Sequence, residues 1–445
     1  MNKQKTGGTN MAINPGTHFK SAFGADIEIV RLLGEGGQGF VYEIKYNGAP
    51  KALKLYKPVA LKDPQAFYKN LKANIEKGSP SEAFLWPQDV LPANGNSFGY
   101  VMDLRPKGYE ELSLFLAARV RFDSYKILLK AALEIVDAFR ILHNKGYSYQ
   151  DLNDGNFFIN PHTGEVLICD NDNVAPNGVP TGILGKPRYM APEVVLNKNM
   201  PNTASDRFSL SVILFLMMTN THPLEGSRFL VDPLTPELEA RLYGSEPIFI
   251  LDPNDTRNRP VKGIHENIGM IWPEFPQYMK DMFLKAFSNK VMTTPGARIP
   301  EKDWQKILIR FGADIIRCDH CGSETFLPDH ESAMVCGNRK CGKPLPAFRK
   351  LLLDKGHQEV FLAPDTIIYR LQFGTANVDE AGAALLRVVR NPKKPSELHL
   401  MNIAGRSLEC YTPSGARKEV KHGATIPVIP GITIRISSDK EAVIS

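Results

Sequence analysis

Residues 146–159 read GYSYQDLNDGNFFI. A carboxylate at Asp151 and a carboxamide at Asn156 stand five positions apart, after the turn-like HNKG and before a short apolar run. Phosphoryl transfer asks for such a pair: a carboxylate orients the attacking hydroxyl, and oxygen ligands hold Mg²⁺ (or Mn²⁺) on the phosphates. A loop that cradles phosphate and a cation that clamps it are then expected elsewhere in the chain.

Upstream, IEIVRLLGEGGQGFVYEIKYNGAPKALKLY (27–56) alternates apolar and polar residues around a glycine cluster, the pattern of three antiparallel strands. Gly34, Gly36 and Gly39 form G-x-G-x-x-G between two of those strands. In a dinucleotide-binding unit the glycines would open a helix, whereas here FVYEIKY continues as strand, which favours a glycine flap over a nucleotide. Lys54 lies on the next strand, where an ammonium can hold two phosphates together, and Asp170 ends the apolar strand EVLICD. Each residue alone fits a turn, a cap or a solvated charge. Their order and spacing together carry the reading.

At 445 residues the chain exceeds one hydrophobic core, so two to four domains are expected. Its 43% hydrophobic and 23% charged residues are ordinary for a globular protein, and a formal charge of +6 gives no ground for a nucleic-acid partner. The longest apolar stretch, SLSVILFLMM (209–218), is too short to cross a bilayer and reads as a buried helix, so no membrane partner is expected. The N-terminus lacks the apolar core of a secretory signal, which makes a cytoplasmic location the default. Helical periodicity runs through 65–77 and 124–143 and dominates to about 311; after about 357 the chain turns to short β-like runs.

Taken together, these features resemble the eukaryotic-type (Hanks-type) protein kinase family, in a divergent bacterial form, from about residue 24 to 312. LHNKGYSYQDLNDGN is similar to its catalytic loop, GKPRYMAPE to the end of its activation segment, and SDRFSL to its buried helix anchored by aspartate. WPEFPQYMKDMFLKAF and GARIPEKDWQKIL resemble its closing helices, with Arg298 matching the arginine that pairs Glu193. The resemblance implies an α+β, bilobal kinase fold with a small antiparallel sheet lobe (24–104) and a helical lobe (105–312), binding ATP and a protein substrate. It makes Lys54 the phosphate clamp, Asp151 the catalytic base, and Asn156 and Asp170 the metal ligands. Glu76, in QAFYKNLKANIEKG, becomes the partner of Lys54, with Glu82 as the alternative. YVMDLRP becomes the hinge, so backbone groups of Asp103 and Arg105 meet adenine beside Met102, with Val41, Ala52 and the three glycines completing the nucleotide site.

The chain departs from the family at several points. The HRD triplet is Tyr149, Gln150 and Asp151, so the arginine that reads a phosphorylated activation loop is missing, and Asp170 to Glu193 offers only Thr181 and Tyr189 as hydroxyl acceptors. Asn153 stands where most kinases carry lysine, and Lys186 where many carry threonine. We expect a charge swap in which Lys186 reaches the Asp151 carboxylate and the transferred phosphate. The DFG position reads Asp170, Asn171, Asp172, so Asp172 can replace or join Asp170 on the metal; Asp170, directly after the β run, is favoured.

Cys318-x2-Cys321, then fourteen residues, then Cys336-x4-Cys341 is the spacing of two knuckles on one tetrahedral Zn²⁺. His320 and His330 are expected in exposed loops, and Cys169 and Cys410 in packed strands. The expected layout is a flexible polar tail (1–23), the kinase domain (24–312), a zinc ribbon (313–346), a linker (347–356) and a β-sandwich (357–445). The last faintly resembles forkhead-associated domains without their phosphothreonine-reading residues, which leaves a protein or phosphoprotein partner, or internal docking, open. The whole reads as a Ser/Thr protein kinase with recruitment or regulatory modules; the alternative is a pseudokinase acting as a nucleotide-binding scaffold.

Overall fold

The computed structural model describes residues 13–57, 61, 63–94, 97–231, 233–326, 334–353, 356, 358–373, 383–437 and 440–445. Residues 1–12 of the expected tail, and His330, lie outside the described residues. The chain divides into two compact units, the first made of 1–120, 141–160 and 166–209, the second of 121–140, 161–165 and 210–445.

The first unit is built on a six-stranded sheet: β1 (His18–Lys20), β2 (Asp26–Glu35), β3 (Gly39–Tyr46), β4 (Ala49–Tyr56), β5 (Asp89–Asn94) and β6 (Ser97–Met102), in the order β1-β2-β3-β4-β6-β5. The three strands expected over 27–56 are β2, β3 and β4. β1 comes from the stretch read as tail and pairs antiparallel with β2. The β3–β4 hairpin closes at Asn47-Gly48, both in the left-handed region (φ 49° and 85°), the two-residue turn that Asn-Gly favours. Period-2 alternation then commits each face: Ile27, Ile29, Tyr42, Ile44, Leu53 and Val101 pack on one side, and Ala52, Tyr56, Val90, Tyr100 and Met102 on the other.

The second face is covered by helix α1 (Pro64–Lys77). Asp63 caps its N-terminus by accepting from the Ala66 N–H at 3.0 Å, Pro64 opens it, and Gly78 at φ 75° ends it. Its buried residues, Phe67, Leu71 and Asn74, recur at four and three. The apolar run 209–218 lies within the helix Thr203–Thr219, where residues 208–218 are all buried. Among the described residues no helix is long and apolar enough to cross a membrane.

The second unit carries the helices Glu266–Glu274, Gln277–Ala286 and Glu301–Ala313, then the cysteine segment and a β domain of two antiparallel sheets, one of six strands and one of four. Leu351, Leu353, Leu386, Val388, Leu400, Ile434 and Ile444 belong to the core that both sheets share. The expected linker is not a linker throughout: Lys350–Leu353 is a strand, paired on one side with Gln358–Phe361 and on the other with the terminal strand Lys440–Ile444.

Candidate active site and cysteine cluster

Lys54 occupies β4, opposite Val41 on β3 and Tyr100 on β6. Its side chain is 5% exposed, and its Nζ donates to Asp172 Oδ2 at 2.9 Å, to Gln38 Oε1 at 2.9 Å and to Asp170 Oδ1 at 3.1 Å. Burial alone would lower the lysine, but the charges of Asp170 and Asp172 more than offset it and hold the ammonium above the usual lysine range. The two aspartates differ sharply in access. Asp172 is fully buried, with Oδ2 also accepting from the Tyr56 hydroxyl and Oδ1 from the Tyr100 hydroxyl at 3.2 Å. Asp170, at φ 52°, keeps 35% of its side chain exposed. Burial first, and the Asp172 charge next, push both tyrosines well above their ordinary range, so they remain phenols and donors.

Asn171, at the position where the resemblance places phenylalanine, is fully buried and donates to Leu85 O at 2.9 Å and Ile168 O at 2.8 Å. Asn70 and Asn74 of α1 both donate to Val174 O, at 2.8 and 2.7 Å. The helix therefore brings amides to this segment. Glu76 does not pair with Lys54: it is exposed, because two residues beyond buried Asn74 turn it by about 200° to the outer face. Glu82, the alternative, is exposed in the loop after α1.

The catalytic-loop segment hangs on one buried carboxylate. Asp206 accepts from the Tyr149 N–H at 2.7 Å, the Gln150 N–H at 3.1 Å and His143 Nε2 at 3.1 Å. Gln150, at φ 71°, donates to Val179 O at 2.8 Å while its Oε1 accepts from the Thr181 N–H and hydroxyl, both at 3.1 Å. An uncharged amide thus ties down the segment that an arginine would hold through a phosphate. Asn156 is buried and donates to Asp151 O at 2.7 Å. Asn153 donates to Asp151 Oδ1 at 3.1 Å and accepts from Lys186 Nζ at 2.9 Å. Lys186 therefore reaches Asp151 through Asn153, rather than bonding directly to the carboxylate as the charge swap expected. Burial pushes the Asp151 carboxyl up to about 6 and the Asp170 charge adds to it, against the Asn153 hydrogen bond and the charges of Lys186 and Lys54. Gly185 sits at φ 91°, and a Cβ there would lie 3.2 Å from Asp151 Oδ1.

Val41, Ala52, Met102, Leu104, Phe158 and Cys169 share one apolar cluster. Phe158, Leu104 and Cys169 carry no local sequence signal for this cluster, which they join by packing between segments distant in the chain. In the hinge segment the Asp103 carboxylate accepts from Lys51 and Gln88, and the Arg105 guanidinium stacks 4.3 Å over the Phe158 ring. The glycines divide by role. A Cβ at Gly39 would lie 2.1 Å from Leu55 O, so close strand approach requires that glycine, while Gly34 and Gly36 face open space. Lys54, Asp151, Asn156 and Asp170 are thus brought together, with Asp151 feeling the charges of both Asp170 and Lys54. Glu76 and Glu82 are not.

In the second unit the Sγ atoms of Cys318, Cys321, Cys336 and Cys341 all lie within 4.8 Å of one another. The 318–341 and 321–336 separations are 3.9 and 3.5 Å, too long for disulfides and close to the roughly 3.8 Å edge of a tetrahedron with Zn–S bonds of about 2.3 Å. Each cysteine pair sits on a tight turn: the Gly322 N–H donates to Cys318 O, and the Cys341 and Gly342 N–H groups to Asn338 O. The donor set fits Zn²⁺ and leaves no open position. His320 is exposed and outside the cluster, and Cys169 and Cys410 are both buried.

Residues 27–232 match the model of the protein kinase domain family. Among the chain's relatives are the protein kinase C eta type of Mus musculus, 30% identical over 220 residues, or 47% of this chain and 31% of that protein. The serine/threonine-protein kinase SBK2 of Rattus norvegicus is 23% identical over 296 residues, 59% of this chain and 79% of that one. A crystal structure of the Mycobacterium tuberculosis PknI kinase domain is similar over 67% of this chain and 98% of its own, with a TM-score of 0.45 and 16% identity. The chain spans about a third of the length of the protein kinase C eta type it matches. The family implies use of ATP and Mg²⁺ and binding of a protein substrate.

Proposed function

We propose that this chain is a Ser/Thr protein kinase that moves the ATP γ-phosphoryl group to a protein hydroxyl. The observation that carries the reading is the convergence of Lys54, Asp151, Asn156 and Asp170, drawn from 117 residues of chain, on one polar cluster. Lys54 holds the α/β-phosphates. Asp151 accepts the proton as the substrate hydroxyl attacks the γ-phosphorus and the bond to the β-phosphate oxygen breaks, releasing ADP. A carboxyl poised near 6 is ionised at neutral pH and still basic enough for that task.

Asp170, partly exposed, and Asn156, whose NH₂ is spent on Asp151 O, supply the oxygens for Mg²⁺ or Mn²⁺. The bound cation would neutralise charge developing on the phosphates. Asp172 has both oxygens engaged by protein donors and is not available to a metal. Lys186, through Asn153, keeps a cation beside the base. The four cysteines hold a structural Zn²⁺, and we assign the ribbon and the β-sandwich, in a cytoplasmic protein, to recruiting or regulating through a protein or phosphoprotein partner.

The test is transfer of label from γ-labelled ATP with Mg²⁺ to protein, comparing wild type with Asp151→Asn. Loss of a general base should slow transfer by about 10²–10⁴-fold while nucleotide still binds. Nucleotide binding with no Asp151-dependent transfer would make the chain a scaffold instead.

A further inference from the structure

Lys54 is a buried ammonium, and such a group keeps its place only if anionic partners fix it. The helix that could supply a glutamate, α1, offers none: its inward polar residues are Asn70 and Asn74, both donating to Val174 O, and its Glu76 is exposed. Of the two carboxylates that do meet Lys54, Asp170 is partly open to solvent, as a residue facing a metal must be. Asp172 is the opposite case. Its carboxylate is fully buried and fixed from three sides, by Lys54 at 2.9 Å, by the Tyr56 hydroxyl, and by the Tyr100 hydroxyl at 3.2 Å. Tyr56 and Tyr100 are themselves sheet residues of β4 and β6, flanking the site on the face that carries Lys54.

We propose that Asp172, fixed by the Tyr56 and Tyr100 hydroxyls, is the positioning carboxylate that aims Lys54 at the nucleotide phosphates, in place of any glutamate on α1. The inference rests on the kinase reading for the identity of the ligand, and it changes what α1 does. Lysine, aspartate and both tyrosines all sit in the sheet or in the segment just after Asp170, so the ion pair forms without a contribution from the helix. Asn171, bonded to Leu85 O and Ile168 O, holds that segment in the position the pair needs. A movement of α1 would break amide bonds to Val174 but leave Lys54 with its partner.

The experiment measures equilibrium binding of ATP with Mg²⁺, and KM and kcat for transfer, in the full chain and in Asp172→Asn, Tyr100→Phe and Glu76→Gln. Asp172→Asn should weaken ATP binding and raise KM by about tenfold, since an opposite charge at contact distance is worth about one pKa unit or more to its partner. Tyr100→Phe, which leaves every charge in place, should show a smaller loss in the same direction and serves if Asp172→Asn does not fold. Glu76→Gln should stay within twofold of wild type. Wild-type affinity and KM in both Asp172→Asn and Tyr100→Phe, or a tenfold loss in Glu76→Gln, overturns the inference. Binding without transfer in wild type overturns the kinase reading alone, and absence of nucleotide binding in wild type overturns both.

Discussion

At the cysteine cluster four sulfur atoms from 24 residues of chain lie within 4.8 Å of one another, while the side-chain oxygens around the Lys54 ammonium come from residues as far apart as 38 and 172. Four thiolates would fill the tetrahedral shell of a Zn²⁺ and leave no position for a substrate. At the Lys54 cluster Asp170 keeps 35% of its side chain exposed while Asp172 is fully buried. A closed site adds its binding energy to folding, whereas an open one keeps ligand capacity for a molecule that comes and goes. The two regions are thus read by different measurements, stability at the cysteines and turnover at the cleft.

The largest expected effect is at the cysteines. Zinc held by four thiolates is tied to about 10–16 kcal/mol of folding free energy in small modules. Elemental analysis should find one zinc per chain, and chelation or Cys336→Ser should open residues 315–326 and 334–345 to limited proteolysis. Identical cleavage of metal-loaded and stripped protein would erase the distinction between the two sites.

At the cleft the sharper probe is pH. With Asp151 pushed up to about 6, the carboxylate form is complete only above that value, so transfer should fall about tenfold per unit as pH drops below 6. The same raised value means that ionised Asp151 weighs against folding above about pH 6, a cost relieved as pH falls; Asp151→Asn should therefore melt higher than wild type at pH 8. A flat rate between pH 5 and 8 would remove Asp151 from the proton's path. The smallest effect belongs to α1: Asn74→Ala removes one of two amide bonds to Val174 O and should cost about 1 kcal/mol in thermal or denaturant melts, with KM for ATP unchanged.

Local signals were the legible ones. The alternation over 27–56 announced three strands, the periodicity over 65–77 announced α1, and the spacing of Cys318, Cys321, Cys336 and Cys341 announced their convergence. Lys54, Asp151, Asn156 and Asp170 were legible only as an ordered set, since each alone could be a cap or a surface charge. What escaped was whatever depends on phase or distant pairing. Glu76 was misassigned because a shift of two positions decides which face of a helix a residue takes. The role of Asp172 depends on hydroxyls 116 and 72 residues away. Lys350–Leu353 looked like linker because one of its partner strands is the last one in the chain.

One feature of the glycine flap bears on how such a protein should be probed genetically. Because a methyl group at position 39 would collide with Leu55 O at 2.1 Å, replacing that glycine damages the hairpin whether or not nucleotide is involved, and an inactive Gly39 mutant would be silent about ATP. Position 36 has empty space around it, so alanine there leaves the strands alone, and any phenotype can be traced to what the flap covers.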